Sequence, residues 1–453
     1  MREHRAHLPL ATGHPVGERL AEGAAGALLV AALVFGGGSR GVGDLVVHGV
    51  ALIALALGVM RWRTLHATRS QRLFLGWLFA AMALLLLQLV PLPVSLFVAL
   101  PPRAEVVADL RQAGIEPAWL PMTLDVWGTV RALLAVMTLA AAWLLTSTLG
   151  TEARIRLLRL VLVSGVLMTL VGFAQAAAGE HSPLRPHHYH HTVGAIGSFA
   201  NRNHFADLMA MLIPLALAFA FAAQALRRQA HAAIWYAAAL LLFLASALSF
   251  SRAGMMLTAV VTVFTSAYLA WSTRNRGGRG AYFLPALAIV LAASGVAAYA
   301  WGGIATRLAL DPLNDLRWQY LHYGIEAARA YLPWGSGAGS FRDVYAPFEP
   351  VVAMQPVYAL HAHNDVLEVA VELGLPGLLL VLSLLALLIH AVWRALKNGE
   401  ERRTSTIIPA AAVAVLVPLT HSFVDYPLRT LAVTTVFATL LAVLMAAPAQ
   451  RVE

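Results

Sequence analysis

The sequence predicts an all-α integral membrane protein with about twelve spanning helices, and three observations carry that reading. First, hydrophobic residues make up 59% and charged residues 12% of the 453, against roughly half and a quarter in soluble domains. Second, apolar runs long enough to cross a bilayer, about 20 residues each, recur from residue 22 to residue 448. Third, basic residues are concentrated in alternate connections between those runs, as expected of a chain threaded back and forth through a membrane. A net charge of +9 therefore reads as orientation signal rather than as nucleic-acid binding. The chain contains no cysteine, which excludes disulfide bracing and thiol chemistry.

The apolar runs lie near 22–38, 44–60, 73–91, 129–149, 156–178, 204–224, 231–249, 254–271, 282–301, 364–393, 406–424 and 430–448. They form a single polytopic domain, 1–453, without internal repeats; residues 1–20 lack the pattern of a cleaved signal peptide. Five connections hold sixteen Lys or Arg, beginning at Arg61, Arg154, Arg227, Arg274 and Arg394. The positive-inside rule places these and both termini in the cytoplasm. The opposite face receives 37–43, 92–128, a His-rich loop at 179–200, the turn 249–253, a long segment 302–362 between the ninth and tenth spans, and 425–429. In 103–113, Val106, Val107 and Leu110 recur at helical spacing, which predicts a short helix on the bilayer surface. Within the long segment, Asp311-Pro312 reads as a helix start. That helix runs to about Tyr331 and is ended by Pro333. Gly335, Gly337 and Gly339 then read as a compact turn or, less directly, as a phosphate-binding loop.

Polar residues gather where spans begin on the outer face. Asn201-Arg202-Asn203 precedes the sixth span and Ser251-Arg252 the eighth. His363-Asn364-Asp365 opens the tenth, and Asp425 stands just before the twelfth. Helix N-termini favour anions, so an arginine there is locally unfavourable by about 0.3–1 kcal/mol. Arg202 and Arg252 in such places point to an external anion, and a diphosphate suits the bidentate guanidinium. Plainer roles stand beside this one. Arg252 can snorkel to headgroups, Arg202 and Arg317 can serve as ordinary ion-pair partners, and Asn201, Asn203 and Asp425 can act as helix caps. His363 lies at a helix start on a membrane–water boundary beside Asn364. An unperturbed imidazole titrates near pH 6.5, about where a general base works; a packed core histidine is the alternative. His361 reads as facing away or as support for the fold. The run His181, His187, His188, His190 and His191 has no carboxylate or thiol companion, and it reads as a solvated loop or a loose metal site.

Several of these stretches resemble a known family. They are Gly197-Ser-Phe-Ala-Asn201-Arg-Asn203-His-Phe-Ala206, Ser251-Arg252-Ala-Gly254, Arg317-Trp318, Pro333-Trp-Gly-Ser-Gly337-Ala-Gly-Ser-Phe341, and His361-Ala-His363-Asn364-Asp-Val-Leu367 followed by Glu372-Leu-Gly374-Leu-Pro-Gly377. Together they are similar to the O-antigen ligase and polymerase superfamily of membrane glycosyltransferases. His421-Ser-Phe-Val-Asp425-Tyr-Pro further resembles its exopolysaccharide-polymerase branch.

The resemblance implies a GT-C-type enzyme of the bacterial inner membrane with its active site on the periplasmic face. It implies a donor glycan on undecaprenyl pyrophosphate, transfer to an acceptor hydroxyl, and neither metal nor cofactor. The acceptor is another lipid-linked glycan in a polymerase, and lipid A–core or a protein hydroxyl in a ligase; the trailing motif favours the polymerase, which can also have a chain-length regulator as partner. By motif, Arg252, Arg317 and His363 carry over as the two diphosphate-binding arginines and the base, and Asp425 matches a further family position. Arg202 stands where other residues are frequent. A transporter or flippase is the competing class; the notable charges crowd the outer rim rather than mid-bilayer, which argues against it.

Overall fold

A computed structural model describes residues 15–38, 41–63, 65, 67–186, 194–273, 316–354, 358–397 and 406–446. The protein is all-α and membrane-embedded. Its helices begin with α1 (Pro15–Phe35), α2 (Val42–Trp62) and α3 (Arg69–Gln88), followed after the short α4 (Ala104–Gln112) by α5 (Val126–Ser147) and α6 (Thr151–Ala178). Then come α7 (Arg202–Ala225), α8 (Gln229–Leu248) and α9 (Arg252–Thr273). Past α10 (Leu316–Tyr331) lie α11 (Asp365–Lys397), α12 (Ile407–His421) and α13 (Leu431–Met445). Eight of the described helices are long and apolar enough to cross a membrane, and α12 and α13 are shorter apolar helices. Every expected span except that at 282–301, which lies outside the described residues, corresponds to a helix. The expected helix start at Asp311 also lies outside them. A helix stands where one was expected in 103–113, as α4, and β1 (Pro91–Pro93) pairs antiparallel with β2 (Trp119–Pro121), Leu92 opposite Leu120.

The bundle is organised around α7, buried along 94% of its apolar window where other spans are at most half buried. Small residues permit this close packing, as in other membrane bundles. A Cβ on Gly165 would stand 2.2 Å from Leu212 Cδ1, and one on Gly254 would stand 2.4 Å from Ala206 Cβ.

Hydrogen bonds between distant segments identify the two ends of the bundle. At one end Ala200 N donates to Gly37 O, Ala432 N to Gly36 O, Ala195 N to Leu248 O and Asp365 N to Ser422 O. At the other, Gly150 N donates to Glu18 Oε1, Arg156 pairs with Glu22 at 2.6 Å, and Thr68 Oγ1 donates to Met445 O. The starts of α7, α9, α11 and α13 thus share one end, and Arg61, Arg154 and Arg156 share the other. This is the segregation that alternating basic connections imply.

The tenth span is interrupted within the Glu372-Leu-Gly374-Leu-Pro-Gly377 stretch. Gly374 has φ 59°, so α11 is two helical segments meeting at a kink, with Pro376 just beyond. The glycine turn docks into that kink: Leu375 N donates to Pro333 O, Ser336 N to Val371 O and Gly337 N to Glu372 O. Ala338 N donates to Gln88 Oε1, and Phe341 N to Glu372 Oε1. With these amides engaged internally, Gly335–Gly339 is a packing turn and not a phosphate cradle.

Candidate functional site

At the end shared by the starts of α7, α9, α11 and α13, Asp425 is fully buried and receives groups from three other segments and from its own neighbour. Its Oδ2 accepts from Asn203 Nδ2 at 2.5 Å and lies 3.5 Å from an Arg317 guanidinium nitrogen. Its Oδ1 faces His363 Nδ1 at 3.2 Å, accepts the Tyr426 amide at 3.0 Å, and lies 3.7 Å from His204 Nε2, an ion-pair rather than a hydrogen-bond distance. Burial alone would raise this carboxyl, but the imidazoles of His204 and His363 outweigh it and hold Asp425 well below the usual carboxylate range. An ionised carboxylate only accepts. His363 therefore donates from Nδ1, an arrangement that in the neutral imidazole leaves the lone pair on Nε2.

Each group is placed by local sequence. Asn201 caps α7 by accepting Asn203 N at 2.9 Å, which orients Asn203 and His204 in the first turn. His363 has φ 50°, a left-handed conformation uncommon for a side-chain-bearing residue. The flanking contacts enforce it: Asn364 caps α11 through Leu367 N and donates to Phe423 O, while Ser422 Oγ donates to Asp365. On α10, Arg317 and Tyr320 stand three residues apart on one face, so the ring of Tyr320 stacks on His363, centroids 6.0 Å apart, as Arg317 reaches Asp425. Gly324, one turn further, lets that face seat against Leu367.

A second histidine dyad lies beside the first. His361 Nδ1 meets Glu368 Oε1 at 2.7 Å, and the same carboxylate accepts Ala362 N. The Tyr426 ring sits between the imidazoles, 4.1 Å from His361 and 5.0 Å from His363. Burial and the Asp425 charge push the Tyr426 phenol upward, so it remains a neutral hydroxyl. Behind His361, Arg429 contacts Glu368 and Glu372 at 3.1 Å and Asp365 at 3.2 Å. Burial opposes its charge, but the three carboxylates prevail and raise Arg429 above the ordinary guanidinium range.

The structure brings His363, Arg317, Asn203 and Asp425 into direct contact, with His361 next to them through Tyr426. Arg252 begins α9, whose first turn packs on α7 through Gly254 and Ala206, so both helix N-termini adjoin the Asp425 cluster. Arg202 is half-buried at the start of α7.

Four participants escape sequence reasoning. Arg429 is one, and its signal is Asp365, Glu368 and Glu372 at helical spacing on an apolar span, an arrangement that demands a cation. Asp207, in the second turn of α7, and His421, at the end of α12, form a fully buried pair at 2.6 Å. Arg103, one residue before α4, donates to Met122 O and Gly335 O and ties the glycine turn to the 92–128 segment; burial lowers its guanidinium to about 10. Of the His-rich run, 187–191 lies outside the described residues, and among the described residues no group of three or more His, Cys, Asp or Glu is placed to hold a metal.

Residues 237–382, from within α8 to the kinked part of α11, match the family model described as O-antigen ligase. Over that third of its length the chain is similar to the O-antigen ligase family. The matched segment contains Arg252, Arg317, His361 and His363, and it ends before Asp425, the carboxylate that Arg317 and His363 contact. No curated protein matches the chain.

Proposed function

We propose that the protein transfers a glycan from undecaprenyl pyrophosphate to an acceptor hydroxyl on the periplasmic face of the bacterial inner membrane, with inversion. The observation that carries this reading is the His363–Asp425 contact at 3.2 Å with Arg317 on the same carboxylate. In the proposed reaction His363 Nε2 removes the acceptor's proton as its oxygen attacks the anomeric carbon. The bond from that carbon to the phosphate oxygen breaks, and its electron pair leaves with the diphosphate. Asp425 stabilises the imidazolium that forms. Arg317 and Arg252, with the N-termini of α7 and α9, hold the diphosphate and the charge that develops on it. Diphosphate leaves without protonation, so no general acid is needed and the reaction calls on no cofactor.

Topology supports the outer-face assignment: the cluster lies at the end opposite Arg61, Arg154 and Arg156, which the positive-inside rule places in the cytoplasm. Among acceptors we favour a second lipid-linked glycan, making the enzyme a polymerase, because Asp425 and His421 both engage the site region from the His421-Ser-Phe-Val-Asp425-Tyr-Pro stretch. The test is reconstitution into liposomes with a lipid-linked oligosaccharide. Chain extension by the wild type that is lost in His363→Ala supports the reading. Wild-type turnover by His363→Ala refutes the base assignment, glycan appearing only on lipid A–core makes the enzyme a ligase, and glycan flux with no product makes the protein a transporter.

A further inference from the structure

A groove of about 790 Å³ opens at the other end of the bundle, where α2 passes into α3. Its apolar wall is Leu75, Gly76 and Phe79 of α3 with Trp62 from the end of α2, and Arg63 and Arg72 stand at its rim. The helix that forms the wall faces outward from the bundle: Leu73, Phe79, Leu86 and Leu87 are 44–61% exposed. Nothing lies within 4 Å of where a Cβ of Gly76 would be, so the wall has room beside it. Arg72 is steadied by donating to Ala67 O at 2.8 Å. Among the described residues no carboxylate forms a salt bridge with either Arg63 or Arg72.

Two guanidinium groups above an outward-facing apolar slot match the shape of an amphiphile with an anionic head and hydrocarbon tails. A free anion would leave the apolar slot unfilled, and an uncharged lipid would leave both cations unmatched. We infer that this groove binds an anionic glycerophospholipid, its phosphate against Arg63 and Arg72 and an acyl chain along Leu75, Gly76 and Phe79. Basic pockets at the ends of spanning helices hold acidic headgroups by the same physics, and the aromatic rings of Trp62 and Phe79 suit the interfacial level. The site is independent of the glycan chemistry at the opposite end.

The test is native mass spectrometry of the full chain released from nanodiscs of equimolar phosphatidylglycerol and phosphatidylcholine. The expected result is retention of phosphatidylglycerol over phosphatidylcholine, falling roughly tenfold or more in Arg63→Gln/Arg72→Gln and equally in Gly76→Phe, which fills the slot without removing charge. Arg63→Gln alone, at an exposed side chain, gives an intermediate loss and serves if the double variant does not fold. Equal retention of the two lipids, retention unchanged in Gly76→Phe, or displacement of bound phosphatidylglycerol by millimolar inorganic phosphate overturns the inference.

Discussion

Replacing Asp425 with asparagine keeps the size of the side chain and reverses half of its hydrogen bonding. If the new amide nitrogen faces His363, it meets the Nδ1 proton at the position where Oδ1 now stands 3.2 Å away, donor against donor. His363 relieves the clash by moving its proton to Nε2, which removes the lone pair the proposed reaction uses. If the amide turns round, its nitrogen faces Asn203 Nδ2 and the Arg317 guanidinium. Asn203 can rotate to accept, but a guanidinium never does. Neither orientation satisfies the site, and the first removes the base outright. Where a buried carboxylate fixes the tautomer of a catalytic histidine, this exchange lowers kcat by about 10⁴-fold; we expect a fall of about 10³–10⁴-fold in glycan transfer at saturating donor. Residues acting as one unit are non-additive, so Asp425→Asn/His363→Ala is expected to be no slower than His363→Ala. The assay is single-turnover transfer in proteoliposomes, with thermal unfolding in detergent to confirm a folded variant. A folded Asp425→Asn protein within tenfold of wild type, or a double variant slower by the product of the two single effects, refutes the tautomer argument.

Other expectations follow from the same geometry. Arg429→Met leaves Asp365, Glu368 and Glu372 facing one another in a buried place, and breaking such a cluster costs about 3–5 kcal/mol, read as a large drop in Tm; a Tm within a degree of wild type would show that the carboxylates are neutral in the fold. Asp207→Leu or His421→Leu alone is destabilising by a similar amount, about 3–5 kcal/mol, whereas the double substitution recovers most of the loss because no charge is stranded; equal loss in all three would mean that packing, not charge pairing, sets the effect. Gly374→Ala places a Cβ 2.2 Å from Pro333 O at φ 59°, so the kink or the glycine turn must move, and limited proteolysis of 333–341 is expected to accelerate. The carboxyl of Asp425 is depressed in the folded state, so its contribution is complete above the unfolded value of about 3.9 and is lost as pH falls through the lower folded value. The Tm gap between wild type and Asp425→Asn should therefore be flat above about pH 5 and shrink at lower pH; a gap that shrinks on raising the pH from 6 to 8 contradicts that sign.

The membrane architecture was legible because it depends on averages. Apolar run length and the distribution of arginines fix spans and their alternation whatever any single side chain does, and every described span lies where composition put it. The kink in α11 was less legible, since Gly374-Leu-Pro376 reads as an interruption only once something is known to occupy it; the occupant, Gly335, is remote in sequence and packs on Gly374 so closely that neither glycine tolerates a Cβ. The site divided in the same way. His363, Arg317 and Asp425 were found through motifs, and motif order implied that they belong together. That they meet on a single carboxylate oxygen pair was not implied, because it depends on the 421–425 turn hydrogen-bonding along the 363–365 segment. Arg429 was missed for a physical reason. A lone arginine in an outer connection looks like an ordinary solvated residue, and its meaning lies in three acids one span earlier. The acids held the clearer signal. Each, taken alone, passes for a helix-start residue, but at spacings of three and four on an otherwise apolar helix they cannot all remain charged in a membrane without a cation supplied from elsewhere. Reading spans in pairs, by asking which apolar run provides the opposite sign for each buried charge, would have found both Arg429 and the Asp207–His421 pair.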